Sequence, residues 1–373
     1  MAWNKLIGLE REKSIFQKII LENKLASAYC FLGIEGIGKD GFALEIAKTV
    51  NCQHPIISND TISPCEECSS CKMANSFKHP NIQYIFAQPA EDKSKASAKQ
   101  ELQETIKEEI KEKLGNPYHK INIPNARQIN ISLIRNITKH LMLADANGHR
   151  FVIISNGENM NVEASNAFLK TIEEPMERTT IIITSSHREK ILPTILSRCQ
   201  QFYFDPIKLE YIQQYIIKNY NKSEEDANLI AAISRGSITQ ACEYLDDNLN
   251  NLRNNIVDLL RISLKRKNYK EELLNNIADI TKKKDRKLTI LILELLLIWM
   301  RDAYSLIKTQ TTDYVINKDL LNRITPFCKG YSKCDYLAAI NEINDSINLL
   351  NRNIDPQLAY ISLFIKLRKI FLQ

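Results

Sequence analysis

Between residues 28 and 50 an apolar run, AYCFL, leads straight into GIEGIGKD and then into GFALEIAKTV. Ala28 to Leu32 have the length and content of a buried strand, and Phe42, Ile46, Ala47 and Val50 recur at helical spacing. A strand, a glycine-rich turn and a helix in that order confine the chain to a narrow set of folds. The turn must aim several backbone N–H groups at one point while the helix adds its positive end. Gly33, Gly36, Gly38 and Lys39 supply this phosphate-loop pattern. The next position normally carries a magnesium-binding hydroxyl, and here it is Asp40. A carboxylate there adds like-charge repulsion to the loss of the ligand. The loop reads either as retained architecture or as a site of residual nucleotide binding, so ATP in the chain's own site stands as a doubtful cofactor.

Further buried-strand candidates are residues 82–87, 151–155, 180–184 and 201–204, with helical patterns between several of them. That alternation argues for an α/β domain built on a parallel sheet with helices on both faces. Hydrolysis in such a domain needs an acidic pair at the end of a later strand, to hold magnesium and to orient water. The strand candidate FVII runs instead into Ser155, Asn156, Gly157 and Glu158, and neither Ser155 nor Asn156 supplies that charge.

Residues 91–114 are dense in Lys and Glu, with Leu102, Ile106, Ile110 and Leu114 spaced by four. This is an inserted amphipathic helix whose charges are expected on a solvated face. After Phe204 strand signals fade and helices dominate. A basic segment, 261–287, separates a first helical group from a run, Ile290 to Met300, that is apolar on nearly every side. Such a helix belongs in a core or an oligomer contact.

Four of the nine cysteines, Cys52, Cys65, Cys68 and Cys71, fall within twenty residues. The Cys-x2-Cys-x2-Cys run puts three thiolates on one turn, and Cys52 can complete a tetrahedral set. Spacing favours structural zinc over an iron–sulfur cluster or free thiols, and four sulfurs leave no open position for catalysis. His54 and His79 are near enough to replace a cysteine, though a lone histidine is more often structural. Cys30, Cys199, Cys242, Cys328 and Cys334 have no ligand spacing and read as small buried or half-buried residues.

A formal net charge of +6 over 373 residues permits a nucleic-acid partner without arguing for one. The start MAWNKLIGLEREK lacks an apolar signal core, and the 290–300 run contains Glu294 and is too short to span a bilayer. A cytoplasmic protein without a membrane partner is expected.

The stretches MNVEASNAFLKTIEEP (160–175) and ILPTILSRCQQFYF (191–204) resemble the signature of bacterial clamp-loader AAA+ subunits of DNA polymerase III. The likeness also covers residues 6–50 and the cysteine cluster through His79-Pro80-Asn81, and continues weakly to LNRNIDPQLAY (350–360). It implies three parts: an AAA+ ATPase-like α/β domain (1–206) with a zinc module (about 52–71) and the inserted helix (about 91–114), an all-α lid (207–275), and an all-α collar (276–373) for oligomerisation. It implies that Ser197, Arg198 and Cys199 form a motif whose arginine enters a neighbour's ATP site, and that the four-cysteine insertion holds zinc. It maps a γ-phosphate-sensing position to Thr184 or Ser185, and an expected lid arginine to Thr239 or Gln240, neither of which carries charge. The implied partners are gamma/tau and delta subunits in a hetero-pentameric ring, and through it the sliding clamp and primed DNA. No intrinsic ATPase activity is expected. The alternatives are an active gamma/tau-like ATPase and a zinc-containing nucleic-acid-binding regulator.

Overall fold

Ala28–Leu32 is strand β1, and all five of its residues are buried. A strand covered on both faces has no need of polar alternation, so it reads as one apolar block. The computed structural model describes residues 2–89, 96–143, 148–245, 248–282 and 285–372. Within them the other strands are β2 (Ile56–Ser58), β3 (Thr61–Ser63), β4 (Ile82–Ile85), β5 (Arg150–Ile154), β6 (Thr179–Ser185) and β7 (Gln200–Tyr203). Five form one sheet in the order β4-β5-β6-β1-β7, and each neighbouring pair is parallel. The fold class is thus the expected one, with strand ends shifted by a residue or two.

The chain divides into two compact units, residues 1–212 with 236–240, and residues 213–235 with 241–373. The first holds the sheet and helices α1 (Glu10–Leu21), α2 (Lys39–Val50), α3 (Ser69–Ala74), α4 (Ala96–Gly115), α5 (Ile131–Leu143), α6 (Val162–Glu173) and α7 (Pro193–Leu196). Alternation along β1 sorts two cores. Tyr29 and Phe31 join Phe16, Phe42, Phe202 and Phe204 in a set of tilted and edge-to-face rings. Ala28, Cys30 and Leu32 pack with Val152, Ile154, Ile181, Ile183 and Phe168. The antiparallel hairpin β2–β3 stands apart from the sheet. It is pinned where Trp3 Nε1 and Gln17 Nε2 donate to the Ile62 carbonyl, at 3.0 and 3.2 Å.

The chain passes through α8 (Leu209–Tyr220) into the second unit, which contains α9 (Glu224–Ile233), α11 (Leu249–Ser263), α12 (Tyr269–Thr281), α13 (Arg286–Thr309), α14 (Leu321–Gly330), α15 (Tyr336–Asn351) and α16 (Pro356–Leu372); the short α10 (Ile238–Glu243) lies between α9 and α11 in sequence. The apolar run falls in α13, where Leu291 to Met300 are all buried against α11, α14 and α15, so it is a core helix. The basic segment is in part helical. It contains α12, which packs on α16, and the Arg368 guanidinium lies 3.7 Å from the Tyr269 ring centroid while donating to the carbonyls of Ser263 and Lys265. Residues 207–275 and 276–373 therefore share one unit apart from 207–212 and 236–240. No helix among the described residues is long and apolar enough to cross a membrane.

Candidate functional site

In a parallel sheet all strands end on one edge, so the C-terminal ends of β1, β5 and β6 emerge together. Leu32 stands opposite Ser185, and Ile154 opposite Ile183. The glycine loop therefore turns directly above Ser155, Thr184 and Ser186. Two of its glycines are obligatory. Gly36 (φ 80°) would bring a Cβ to 2.1 Å from Ser237 Oγ, and Gly38 (φ 92°) would bring one to 2.9 Å from the Tyr118 ring.

Lys39 opens α2 but is only 6% exposed. Its ammonium donates to the carbonyls of Gly33 (2.8 Å) and Ile34 (2.7 Å) and to Ser186 Oγ (3.2 Å). All three of its donors are engaged by the loop and its neighbour. Burial lowers its pKa, with Asp40 working in the opposite direction.

Asp40 is satisfied in the same inward way. Thr184 Oγ1 donates to one carboxylate oxygen at 2.6 Å, and Ser155 Oγ (2.7 Å) and the Tyr84 hydroxyl (3.0 Å) donate to the other. Lys113 Nζ, from the inserted helix α4, lies 3.9 Å away. Burial pushes the Asp40 pKa up, but Lys113 and the hydroxyl donors outweigh it and hold the carboxyl below the ordinary aspartate value. Burial, and then Asp40, drives the Tyr84 phenol well above its ordinary range. The like-charge repulsion expected from the sequence is thus answered within the chain.

The expectation that the α4 charges are solvated fails at Lys113, whose side chain is 5% exposed. It donates to the carbonyls of Pro117 (2.9 Å) and His119 (2.7 Å), and Glu109 holds the same return segment through His119 Nε2 (2.9 Å) and the Asn122 amide (2.8 Å). That segment covers the loop. Pro117 lies against Gly41 and Tyr118 against Gly38, the Tyr118 hydroxyl accepts from the Ile7 amide, and Lys120 pairs with Glu35. A small cavity, open to solvent, remains beside the loop, lined in part by Lys39, Asp40, Lys113 and Tyr118.

The residues at the two positions mapped from the resemblance have different surroundings. Thr184 is the residue committed to Asp40, whereas Ser185 Oγ accepts from the His187 amide at 3.0 Å. Thr239 reaches the loop, donating to the Tyr118 carbonyl, whereas Gln240 is exposed. Asn156 takes a left-handed conformation that Asn tolerates, and its amide donates to Thr184 Oγ1 at 3.2 Å. A triphosphate with magnesium does not fit this donor set, because Lys39, Thr184 and Asp40 already satisfy one another or the loop. Lys113, Tyr84, Tyr118 and Ser186 had no part in the sequence reading of this site.

The four cysteines converge. Cys52 follows α2, Cys65 and Cys68 lie between β3 and α3, and Cys71 is in α3. Cys52 Sγ is 3.5, 4.0 and 3.6 Å from those of Cys65, Cys68 and Cys71, and Cys65 and Cys71 are 4.0 Å apart. Bonds of about 2.3 Å in a tetrahedron give edges of about 3.8 Å, so this set can hold one metal ion. Neither His54 nor His79 belongs to it. His79 Nδ1 accepts from the Asn81 amide (3.1 Å), so its proton sits on Nε2 toward Ser70 Oγ (3.0 Å), and burial lowers its pKa. Lys48 ties the cluster to α2, donating to Glu45 (2.9 Å), Glu66 (2.9 Å) and Asn75 (3.0 Å). Of the remaining cysteines, Cys30, Cys199 and Cys328 are buried and Cys242 and Cys334 half-buried, and burial pushes Cys30 and Cys199 up to about 12.

Arg198 sits between α7 and β7. Buried Cys199 anchors the turn in the core beside Cys30, and Ser197 Oγ bonds back to the Thr194 carbonyl at 3.1 Å. Between these anchors the Arg198 side chain stands 40% exposed. It donates to Glu173 Oε1 (2.6 Å), the Thr194 carbonyl (3.0 Å) and Ser197 Oγ (3.3 Å).

A family model described as DNA polymerase III, delta subunit, matches residues 8–208, more than half of the chain. The chain is 26% identical over 361 residues to DNA polymerase III subunit delta' of Bacillus subtilis, covering 96% of this chain and 95% of that protein. It is 27% identical over 251 residues to subunit tau of the same organism, covering 65% of this chain and 36% of tau. A gamma subunit-related DNA polymerase III protein of Thermotoga maritima aligns over 97% of this chain and 99% of its own, at 16% identity and a TM-score of 0.40. By the match over residues 8–208, this chain belongs to the DNA polymerase III delta subunit family.

Proposed function

We propose that the chain is a clamp-loader subunit of bacterial DNA polymerase III that hydrolyses no ATP itself and supplies Arg198 to the ATP held by a neighbouring motor subunit. One observation carries this reading. The lysine and the magnesium position of its own phosphate loop are engaged within the chain, while Arg198 stands half-exposed on a rigidly anchored turn. A guanidinium offered in trans can bind a γ-phosphate through directed hydrogen bonds and stabilise charge in the transition state. Its pairing with Glu173 is no obstacle, since an exposed ion pair contributes about 0–1 kcal/mol.

The likeness to delta' over nearly the whole chain supports gamma/tau and delta subunits as partners in a hetero-pentameric ring, with the sliding clamp and primed DNA reached through it. The division into an ATPase-like part (1–206), a lid (207–275) and a collar (276–373) belongs to this proposal, as does a cytoplasmic location. So does zinc at Cys52, Cys65, Cys68 and Cys71, where it would crosslink the end of α2 to α3 and supply no catalytic position.

In a reconstituted ring, Arg198→Ala leaves assembly intact and lowers DNA-dependent ATPase and clamp loading, with turnover at the one ATP site it serves falling about 10^3-fold or more. Unchanged loading would sink the proposal. The likeness to tau and the retained glycine pattern favour a second reading, an active ATPase. Magnesium-dependent turnover by the purified chain, abolished by Lys39→Ala, would establish that reading instead.

A further inference from the structure

The inserted helix α4 has a place in the site that neither the family match nor the sequence assigns. Its half-buried positions, Leu102, Thr105, Ile106, Glu109, Ile110 and Leu114, form one face with the buried Lys113, and the two charged members of that face both act on the glycine loop. Glu109 holds the return segment 117–122, and Lys113 both anchors that segment and faces Asp40 at 3.9 Å. In a working phosphate loop the residue after the lysine faces a divalent cation bridging the phosphates. Here it faces an ammonium brought by the protein. We infer that α4 is an intramolecular plug: Lys113 takes, against Asp40, the charge position of the nucleotide's divalent cation, and residues 117–120 cover the loop where phosphates would lie.

The plug accounts for two departures at once. Asp40 in place of a hydroxyl supplies the counter-charge that a buried lysine requires, because an isolated ammonium in that setting carries a desolvation penalty. Tyr118 packs over Gly38, and the half-exposed Lys120–Glu35 pair lies at the edge of the same space. The inference rests on the proposed absence of hydrolysis in this chain, and it adds the cause: a nucleoside triphosphate with its metal competes with residues already in place.

The test is a double-mutant cycle on the full chain with two readouts. Asp40→Thr and Lys113→Met each lower the melting transition of the α/β unit, by roughly 5–10 °C, while the double variant loses clearly less than the two losses added together. A double variant that loses the sum or more, or fails to fold, overturns the pairing. In the second readout a fluorescent ATP analogue with magnesium is titrated. The wild type shows no saturation to about 1 mM, and the double variant gains at least about tenfold in affinity. Equal binding by both, or a folded double variant with no gain, overturns the plug. Those outcomes leave the Arg198 proposal standing, and an Arg198→Ala ring that loads normally leaves the plug standing.

Discussion

The α/β unit contains two dense clusters of ionisable side chains, and they balance charge in opposite ways. At the glycine loop, Asp40 receives three hydroxyl donors and faces Lys113, while Lys39 bonds loop carbonyls. Asp40, Lys39 and Lys113 each have counterparts in the chain. At the cysteine cluster, four sulfurs come within 4.8 Å of one another. Four thiolates so placed repel one another unless a cation joins them. A self-balanced cluster closes a site, whereas an unbalanced one calls for a ligand. The contrast sets the two proposals, zinc at the cysteines and a plugged glycine loop, against each other.

The largest effect follows from removing the ligand that the second cluster calls for. Purified protein is expected to carry about one zinc per chain by elemental analysis. Cys71→Ser, at a fully buried ligand position, is expected to abolish binding and strip residues 52–75 of hydrogen-exchange protection, because metal binding and local folding are one process in such modules. A metal-free protein with unchanged protection would remove the contrast at its root.

A smaller effect separates the clusters by pH. Asp40 titrates below the ordinary aspartate range when folded. A depressed carboxyl contributes stability that is fully present above the unfolded value, near pH 4, and is lost as pH falls through the folded value. Thiolate–metal bonds yield earlier, since protons compete directly for the ligands. Acidification from pH 7 should therefore release zinc first, followed at lower pH by loss of the Asp40 contribution, a step that Asp40→Asn abolishes. That variant also lowers stability by about 2–4 kcal/mol at pH 7, because Lys113 is left buried without a counter-charge. Zinc release and melting curves measured across the range check the order, and the reverse order would break the comparison.

These two clusters also mark what the sequence discloses. The cysteines are legible because metal geometry forces ligands into short spacings, and Gly36 and Gly38 because only glycine tolerates their dihedrals and close neighbours. The strands are legible where both faces are buried, as in AYCFL and TIIIT, since burial leaves a continuous apolar run. The hairpin β2–β3 was not, because its strands are three residues long and Ile56 and Ile57 are exposed. Lys113 was missed for a different reason. In a helix rich in Lys and Glu a charge defaults to solvent, yet Lys113 lies seven residues after Ile106 and three after Ile110, on the apolar stripe itself. That register was the available signal. Its partner Asp40, 73 residues earlier in sequence, was not. Nor could spacing separate Thr184 from Ser185, since adjacent strand residues differ only in the face they serve.

Between the clusters lies Lys48, which joins the cysteine module to α2. Its ammonium meets Glu45, Glu66 and Asn75 with a side chain only 7% exposed. Lys48→Met leaves Glu45 half-desolvated and is expected to lower stability by about 1–3 kcal/mol while zinc content stays the same. Loss of zinc in that variant would show that the protein-side ion pairs, rather than the sulfurs, hold the module together.

Arg198 supplies the smallest effect on stability and the sharpest use of the comparison. Its partner Glu173 is 46% exposed, so the pair is open to solvent and weak, unlike Asp40 with Lys113. Glu173→Ala should change the stability of the chain by no more than about 0.5 kcal/mol. Its consequence belongs to the assembled ring. If Glu173 merely parks the guanidinium, its removal frees Arg198 for a neighbour's phosphate, and ring ATPase is unchanged or rises. If instead the carboxylate sets the aim of the guanidinium, ATPase falls toward the Arg198→Ala level while the melting temperature stays put. Steady-state ATPase of rings built with each variant separates the two, because a fold defect would move the melting temperature as well. An exposed pair that can be exchanged is what a residue acting outside its own chain requires, and a buried pair that cannot is what keeps the glycine loop closed.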